Sequence, residues 1–219
     1  MFEVIAEEVV SLLYTHRNPR NIVGMRRYGI VSKAEILGVP KPILREIARK
    51  IGSNHKLAIR LWSTGIHEAR ILASMIADPE RLDEEAMDLW VKDIDNWDLC
   101  DQCVLNLFWK AKYAVKKAVE WSIRNEEFVR RAGIVLMARL AWMDRRLPDK
   151  IFIEFLDILR KIIRDNRRYV WKAIVWALKK IGLRNTRLRK LMMDFCSMIK
   201  AINPRIANNV LNYLSRKPL

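Results

Sequence analysis

Glycine and proline are scarce in this chain, seven of each in 219 residues, too few for the tight turns of a β-sandwich or barrel. No apolar run is long enough to cross a bilayer. The opening MFEVIAEEVVSLLY is acidic where a secretory leader would be basic. Cysteines number three, an odd count that suits a reducing interior and not a disulfide framework. Walker loop, dinucleotide glycine fingerprint and Ser/His/Asp order are all missing. His67-Glu68-Ala69-Arg70-Ile71 opens like a zincin motif, but Ile71 stands where the second His ligand is required. It reads as a structural Glu and Arg near a helix start. Cys100-x-x-Cys103 has no second Cys/His pair nearby, and His16 and His55 read as surface or turn residues. These absences lead to the expectation of a helical protein of the cytoplasm, with no metal, no cofactor and no membrane contact.

Apolar residues make up 51% of the chain and charged residues 30%, enough to build one domain over 1–219 with a real core. The charge is lopsided. Residues 1–104 hold 14 basic and 16 acidic side chains, whereas residues 105–219 hold 27 and 9, a net of +18. A field of one sign attracts polyanions, and phosphate backbones are the commonest. A solubilising Lys/Arg surface is the alternative, but such surfaces usually add Glu in parallel.

Breakers at Asn18-Pro19, Gly38-Val39-Pro40, Gly52-Ser53-Asn54, Gly65, Asp78-Pro79, Leu147-Pro148, Gly182 and Asn203-Pro204 divide the chain into segments of about 11–20 residues. Apolar spacing of three and four inside them predicts about a dozen helices. In 149–164, Ile151, Phe152, Phe155, Leu156, Leu159, Ile162 and Ile163 form one stripe, with Lys150, Glu154, Asp157, Lys161 and Arg164 away from it. A loose period of about 35–40 residues per helix pair fits HEAT-like repeats. The fold expected is all-α: roughly six antiparallel pairs stacked into a superhelix with a basic concave trough. An irregular bundle is the competing architecture.

Three segments can carry chemistry. In Asp95-Asn96-Trp97-Asp98-Leu99-Cys100-Asp101-Gln102, Asp95 or Asn96 caps a helix that continues through Val104, Leu105, Phe108 and Ala111. At 100° per residue, Trp97, Asp101, Val104, Leu105 and Phe108 share a face. A carboxylate on an apolar stripe is costly unless paired or used, so Asp101 is either a working group or a buried ion-pair partner. In Tyr169–Lys180, Val170, Ala173, Ile174, Ala177, Leu178 and Ile181 form the core stripe. Trp176 points away from it, beside Tyr169, Lys172 and Lys180, with Lys179 close by. Basic residues interleaved with aromatics suit a phosphate backbone and exposed rings; packing on the next helix pair is the other explanation. In Phe128–Ala138 the helix is apolar nearly all round, so Arg131, next to Arg130, needs an anion or a wet cleft.

Taken in order, Gly38-Val39-Pro40…Arg45-Glu46-Ile47-Ala48, Leu61-Trp62…His67-Glu68-Ala69-Arg70, Trp97-Asp98-Leu99-Cys100-Asp101, Phe128-Val129-Arg130-Arg131-Ala132 and Lys172-Ala173-Ile174-Val175-Trp176-Ala177-Leu178 resemble the AlkD-type DNA alkylation repair glycosylases over roughly residues 25–185. The resemblance implies a HEAT-like superhelix that excises N3- and N7-alkylated purines, such as 3-methyladenine and 7-methylguanine, from duplex DNA in base excision repair. It implies a cleft of two Trp, one Asp and one Arg, here Trp97, Trp176, Asp101 and Arg131. Arg130, Tyr169, Lys172, Lys179 and Lys180 are expected on the DNA. Around Trp142–Pro148 the chain is a few residues longer than in some relatives, a length placed in a turn. The partner expected is alkylated double-stranded DNA, bound by a monomer associated with the nucleoid. The resemblance also implies that the lesion need not be rotated out of the stack. Two alternatives are a non-catalytic helical-repeat DNA scaffold and a module for a protein partner.

Overall fold

Asparagine and aspartate punctuate this molecule more than glycine does. A computed structural model describes residues 5–217, and they form thirteen α-helices: α1 (Ala6–Thr15), α2 (Pro19–Arg27), α3 (Lys41–Ile51), α4 (His55–Ser63), α5 (His67–Ile76), α6 (Glu84–Lys92), α7 (Trp97–Asn106), α8 (Ala114–Ser122), α9 (Glu127–Met143), α10 (Asp149–Lys161), α11 (Arg168–Gly182), α12 (Thr186–Ile199) and α13 (Pro204–Ser215). Side chains of Asn18, Asn54, Asp83, Asn96, Asn185 and Asn203 each accept the free amide three residues on, at the starts of α2, α4, α6, α7, α12 and α13. No strand occurs among the described residues.

The chain divides into two compact units, Met1–Lys112 and Tyr113–Leu219. In the first, α5 lies between α3 and α7, and α4 packs behind α5. In the second, α11 lies between α9 and α13, backed by α8 on α9 and by α12 on α11 and α13. The stripe read in 149–164 is borne out: Phe152, Phe155 and Leu159 are fully buried, and all five charged residues set apart from it are exposed.

Two expectations need correcting. The paired helices start at residues 55, 84, 114, 149 and 186, so the repeat is 29–30 residues at first and 35–37 later. The cause is helix length, 9–11 residues in the first unit against 9–17 in the second. Second, α7 stops at Asn106 instead of running through Phe108 and Ala111. Trp109 explains the stop: its indole N–H donates to the Leu105 carbonyl at 3.1 Å. That carbonyl would have taken the backbone amide of residue 109 in a continuing helix. The turn Phe108–Lys110 then folds as a 3-10 helix.

Gly133 is where α8 and α9 approach. A Cβ there would sit 2.4 Å from the Ser122 backbone nitrogen and 2.9 Å from the Ala118 carbonyl. Only a residue without a side chain permits this approach.

Candidate active site

In the first unit, Asn96 sets the start of α7 by accepting the Leu99 amide at 3.0 Å. Trp97 and Asp101 then stand one turn apart on the same helix, both half-buried. Trp97 is fixed at its polar edge, where the indole N–H donates to the Tyr28 carbonyl at 3.1 Å. The fully sequestered carboxylate on α7 is Asp98, only 3% exposed. It accepts from Lys41 Nζ at 2.8 Å and lies 3.3 Å from His67 Nε2, on a ring with no exposure at all. Burial alone would raise the Asp98 pKa; the bonds from His67 and Lys41 outweigh it and hold the carboxyl below its ordinary value. A buried, paired carboxylate thus stands on α7 at Asp98, three residues before Asp101.

Glu68 is the second buried anion of this unit. It accepts the Leu37 and Gly38 amides at 2.9 and 2.7 Å. Gly38 has φ 77°, and a Cβ there would lie 2.4 Å from the Asn18 carbonyl. Two of the family-like strings, at Gly38 and at His67-Glu68, thus meet in one hydrogen-bonded corner. The structural role expected for Glu68 and Arg70 holds: Arg70 bonds the Trp62 and Asp93 carbonyls at the start of α5. A cavity of about 330 Å³ opens beside this corner, walled by Met25, Tyr28, Lys41, His67, Trp97 and Asp98 among others. Asp101 is not on its wall.

In the second unit, Arg131 lies on α9 and is 6% exposed. Its guanidinium donates to the Tyr169 carbonyl at 2.6 Å, in the first turn of α11. The Tyr169 ring rests on Phe128 with centroids 5.6 Å apart. The core stripe of α11 is as read, every member being fully buried, while Trp176 is half-exposed. Spacings of three, four and seven place Tyr169, Lys172, Trp176 and Lys179 along one arc of this helix. Lys172 is exposed. Lys179 bonds Asn209 Oδ1 at 2.6 Å and lies 4.6 Å from the Tyr213 ring centre, and Lys180 lies 3.4 Å from that of Trp142. Desolvation lowers the pKa of both lysines. Arg130 donates to Asp165 at 2.6 Å, and Arg167 donates to the same oxygen at 2.6 Å. The chain turns between Met143 at the end of α9 and Asp149 at the start of α10. Cys100, Cys103 and Cys196 are buried and outside any disulfide among the described residues, and burial pushes the Cys196 pKa up to about 12.

The profile of the family described as DNA alkylation repair enzyme matches residues 9–195. The chain belongs to that family. This DNA alkylation repair family member also shares its architecture with a solved structure, reported for a new family of proteins related to the HEAT-like repeat DNA glycosylases with affinity for branched DNA structures. The TM-score is 0.80 at 20% identity, over 90% of this chain and 83% of that one. The fold is therefore the all-α, HEAT-like repeat fold expected. No curated protein gives a significant sequence match.

Sequence reading overlooked Lys41, His67 and Asp98. A signal was available: Trp97-Asp98-Leu99-Cys100-Asp101 holds two carboxylates three positions apart, about 60° apart around the helix. Nothing in the spacing tells which of the two is buried, because Lys41 and His67 reach Asp98 from segments distant in sequence.

Proposed function

We propose that this protein is a metal-independent DNA glycosylase that hydrolyses the N-glycosidic bond of cationic N3- and N7-alkylated purines in duplex DNA. An alkylated purine already carries positive charge, so its glycosidic bond is weak and the departing base needs no general acid. What the enzyme must supply is an anion for the sugar as it gains oxocarbenium character, and a positioned water. Asp101 takes both tasks. The faces of Trp97 and Trp176 lie against the cationic nucleotide and sugar, each worth roughly 0.5–2 kcal/mol. Arg131, with Lys172 and its basic neighbours on α11, holds the phosphates.

The observation that carries this reading is the division of labour on α7. Asp98 is buried and engaged by Lys41 and His67, while Asp101, one turn from Trp97, is half-exposed and so can meet solvent and substrate.

The decisive experiment is free-base release from a duplex containing 7-methylguanine. Wild type should yield free base and an abasic site. Asp101→Asn should bind the duplex within about two-fold of wild type yet lose on the order of 10²-fold or more in excision rate. Undiminished release by that variant ends the assignment. Trp176→Ala should lower excision more than it lowers the melting temperature; losses in proportion would make Trp176 a core residue.

A second reading is a DNA-binding scaffold without catalysis. The structurally similar protein, described by its affinity for branched DNA, favours it. Salt-sensitive binding with no base release from any alkylated duplex would establish it in place of the enzyme.

A further inference from the structure

The cavity beside Trp97 has no part in the chemistry above. Its 330 Å³ lies within the range of small-molecule sites. Most of the wall is apolar: Met25, Ile30, Val39, Leu44 and Ile71. Two aromatic residues line it, the half-exposed Trp97 and Tyr28, which is 75% exposed although its carbonyl anchors Trp97.

The charges on the wall select the ligand further. Both carboxylates are buried and engaged, Asp98 by Lys41 and His67, and Glu68 by the Leu37 and Gly38 amides. That leaves Arg20 as the exposed charge at the wall, together with the Lys41 ammonium, whose side chain is 32% exposed. An ammonium has three donors, and Asp98 uses one. Two aromatic rings, the Lys41 donor and the Arg20 cation on one cavity wall match a nucleobase bearing a phosphate.

We propose that this cavity is a nucleotide subsite: it takes the base of an unpaired nucleotide, with Tyr28 and Trp97 against the ring, Lys41 donating to its edge, and Arg20 on the adjoining phosphate. The inference rests on the DNA-binding reading and refines it, since it makes DNA with an unpaired nucleotide the preferred ligand. Trp97 then belongs to both sites, and an unpaired base beside a lesion would be held while the lesion reacts.

Gly24 supplies a clean test. It lies on the cavity wall in the middle of α2, and a Cβ added there meets nothing within 4 Å. Gly24→Phe should therefore fill the cavity and leave the fold intact. Tyr28→Ala removes an exposed ring and keeps the carbonyl that anchors Trp97. The probe is a duplex with a single-nucleotide bulge of 2-aminopurine, measured against the same duplex fully paired. Wild type should bind the bulged duplex roughly ten-fold more tightly, with the fluorescence of the probe quenched on stacking. Each variant should lower bulge affinity to the paired-duplex level without changing paired-duplex affinity or melting temperature. Should Gly24→Phe fail to fold, Tyr28→Ala decides alone. A wild type that binds both duplexes equally overturns the subsite and leaves the DNA reading standing, as do variants that keep the preference. A wild type that binds neither duplex sinks both.

Discussion

The two units of this chain are built to different rules. Met1–Lys112 carries 16 basic and 16 acidic residues, so it has no net charge; Tyr113–Leu219 carries 25 and 9, a net of +16. The neutral unit has short helices and a buried polar corner of His67, Glu68, Asn96 and Asp98. The basic unit has helices of up to 17 residues, and α9 and α11 present almost unbroken apolar stripes. Longer helices bury more apolar area each, which offsets the self-repulsion of +16 in the second unit. Shorter helices bury less, and the first unit holds its loops with charged hydrogen bonds, which fix geometry more tightly than greasy packing does. Positive charge is thus concentrated in one unit, and the buried polar corner in the other.

Charge removal tests that division most severely. Replacing Lys172, Lys179 and Lys180 together by Gln should weaken duplex binding by about 10²-fold at physiological salt and make the salt slope shallower by roughly 0.9 for every phosphate no longer neutralised. Replacing the exposed Arg49, Lys56 and Arg60 of the first unit in the same way should change binding by less than about two-fold. Fluorescence anisotropy over a salt series reads both quantities. Equal losses from the two triples would show that net charge alone, and not its location, drives binding. The partial burial of Lys179 and Lys180 sharpens the test, because most of the loss should then come from Lys172.

Next in size is a pair of glycines, one in each unit. Gly133→Ala must drive a methyl into the Ser122 and Ala118 backbone of α8, and backbone cannot step aside as a side chain can. A loss of about 3 kcal/mol is expected in urea unfolding, even after the helix-propensity gain of alanine. Gly24→Ala, in open space on α2, should instead gain up to about 1 kcal/mol. A small effect at Gly133 would mean that α8 and α9 can separate without cost.

How far the sequence could be read follows the same line. The stripes of α10 and α11 were legible because long amphipathic helices repeat their pattern often enough to fix its phase. Asn18, Asn54 and Asn203 were legible as breaks and prove to be N-caps, and Asn96 is the one of the two cap candidates before α7 that serves. The end of α7 was not, because no breaker marks it; a Trp109 indole standing in for a backbone amide leaves no compositional trace. Trp97 and Asp101 were singled out by spacing, and both side chains are half-buried. Asp98, Lys41 and His67 stayed hidden because their link runs over 31 and 57 residues, and no local periodicity reports an interaction of that range. Gly133 was read only as part of a motif, since a close approach of two helices shows itself only once both are placed.

The smallest expected effect concerns acid stability, and it again sets one unit against the other. Asp165, in the basic unit, is partly buried, which alone would raise its pKa; the donors of Arg167 and then of Arg130 prevail and bring it down to about 2. A folded-state value below the ordinary carboxylate value of roughly 3.9 favours the charged form in the native protein. Its contribution is therefore complete above about pH 4 and is lost as the pH falls from there toward 2. Asp165→Asn should flatten that part of the acid limb and leave the slope above pH 5 unchanged. Solvent around the Arg167 guanidinium screens the pair, which keeps the effect small. Asp98 is also held below its ordinary value, but its donors, Lys41 and His67, are left buried or half-buried when the carboxylate is neutralised. Asp98→Asn should accordingly destabilise the protein even at neutral pH, with the loss seen by urea unfolding there as well as in acid. If the two variants give parallel curves across the whole range, the buried corner of the first unit is no more dependent on its charge than a surface ion pair, and the contrast between polar corner and apolar stripe dissolves.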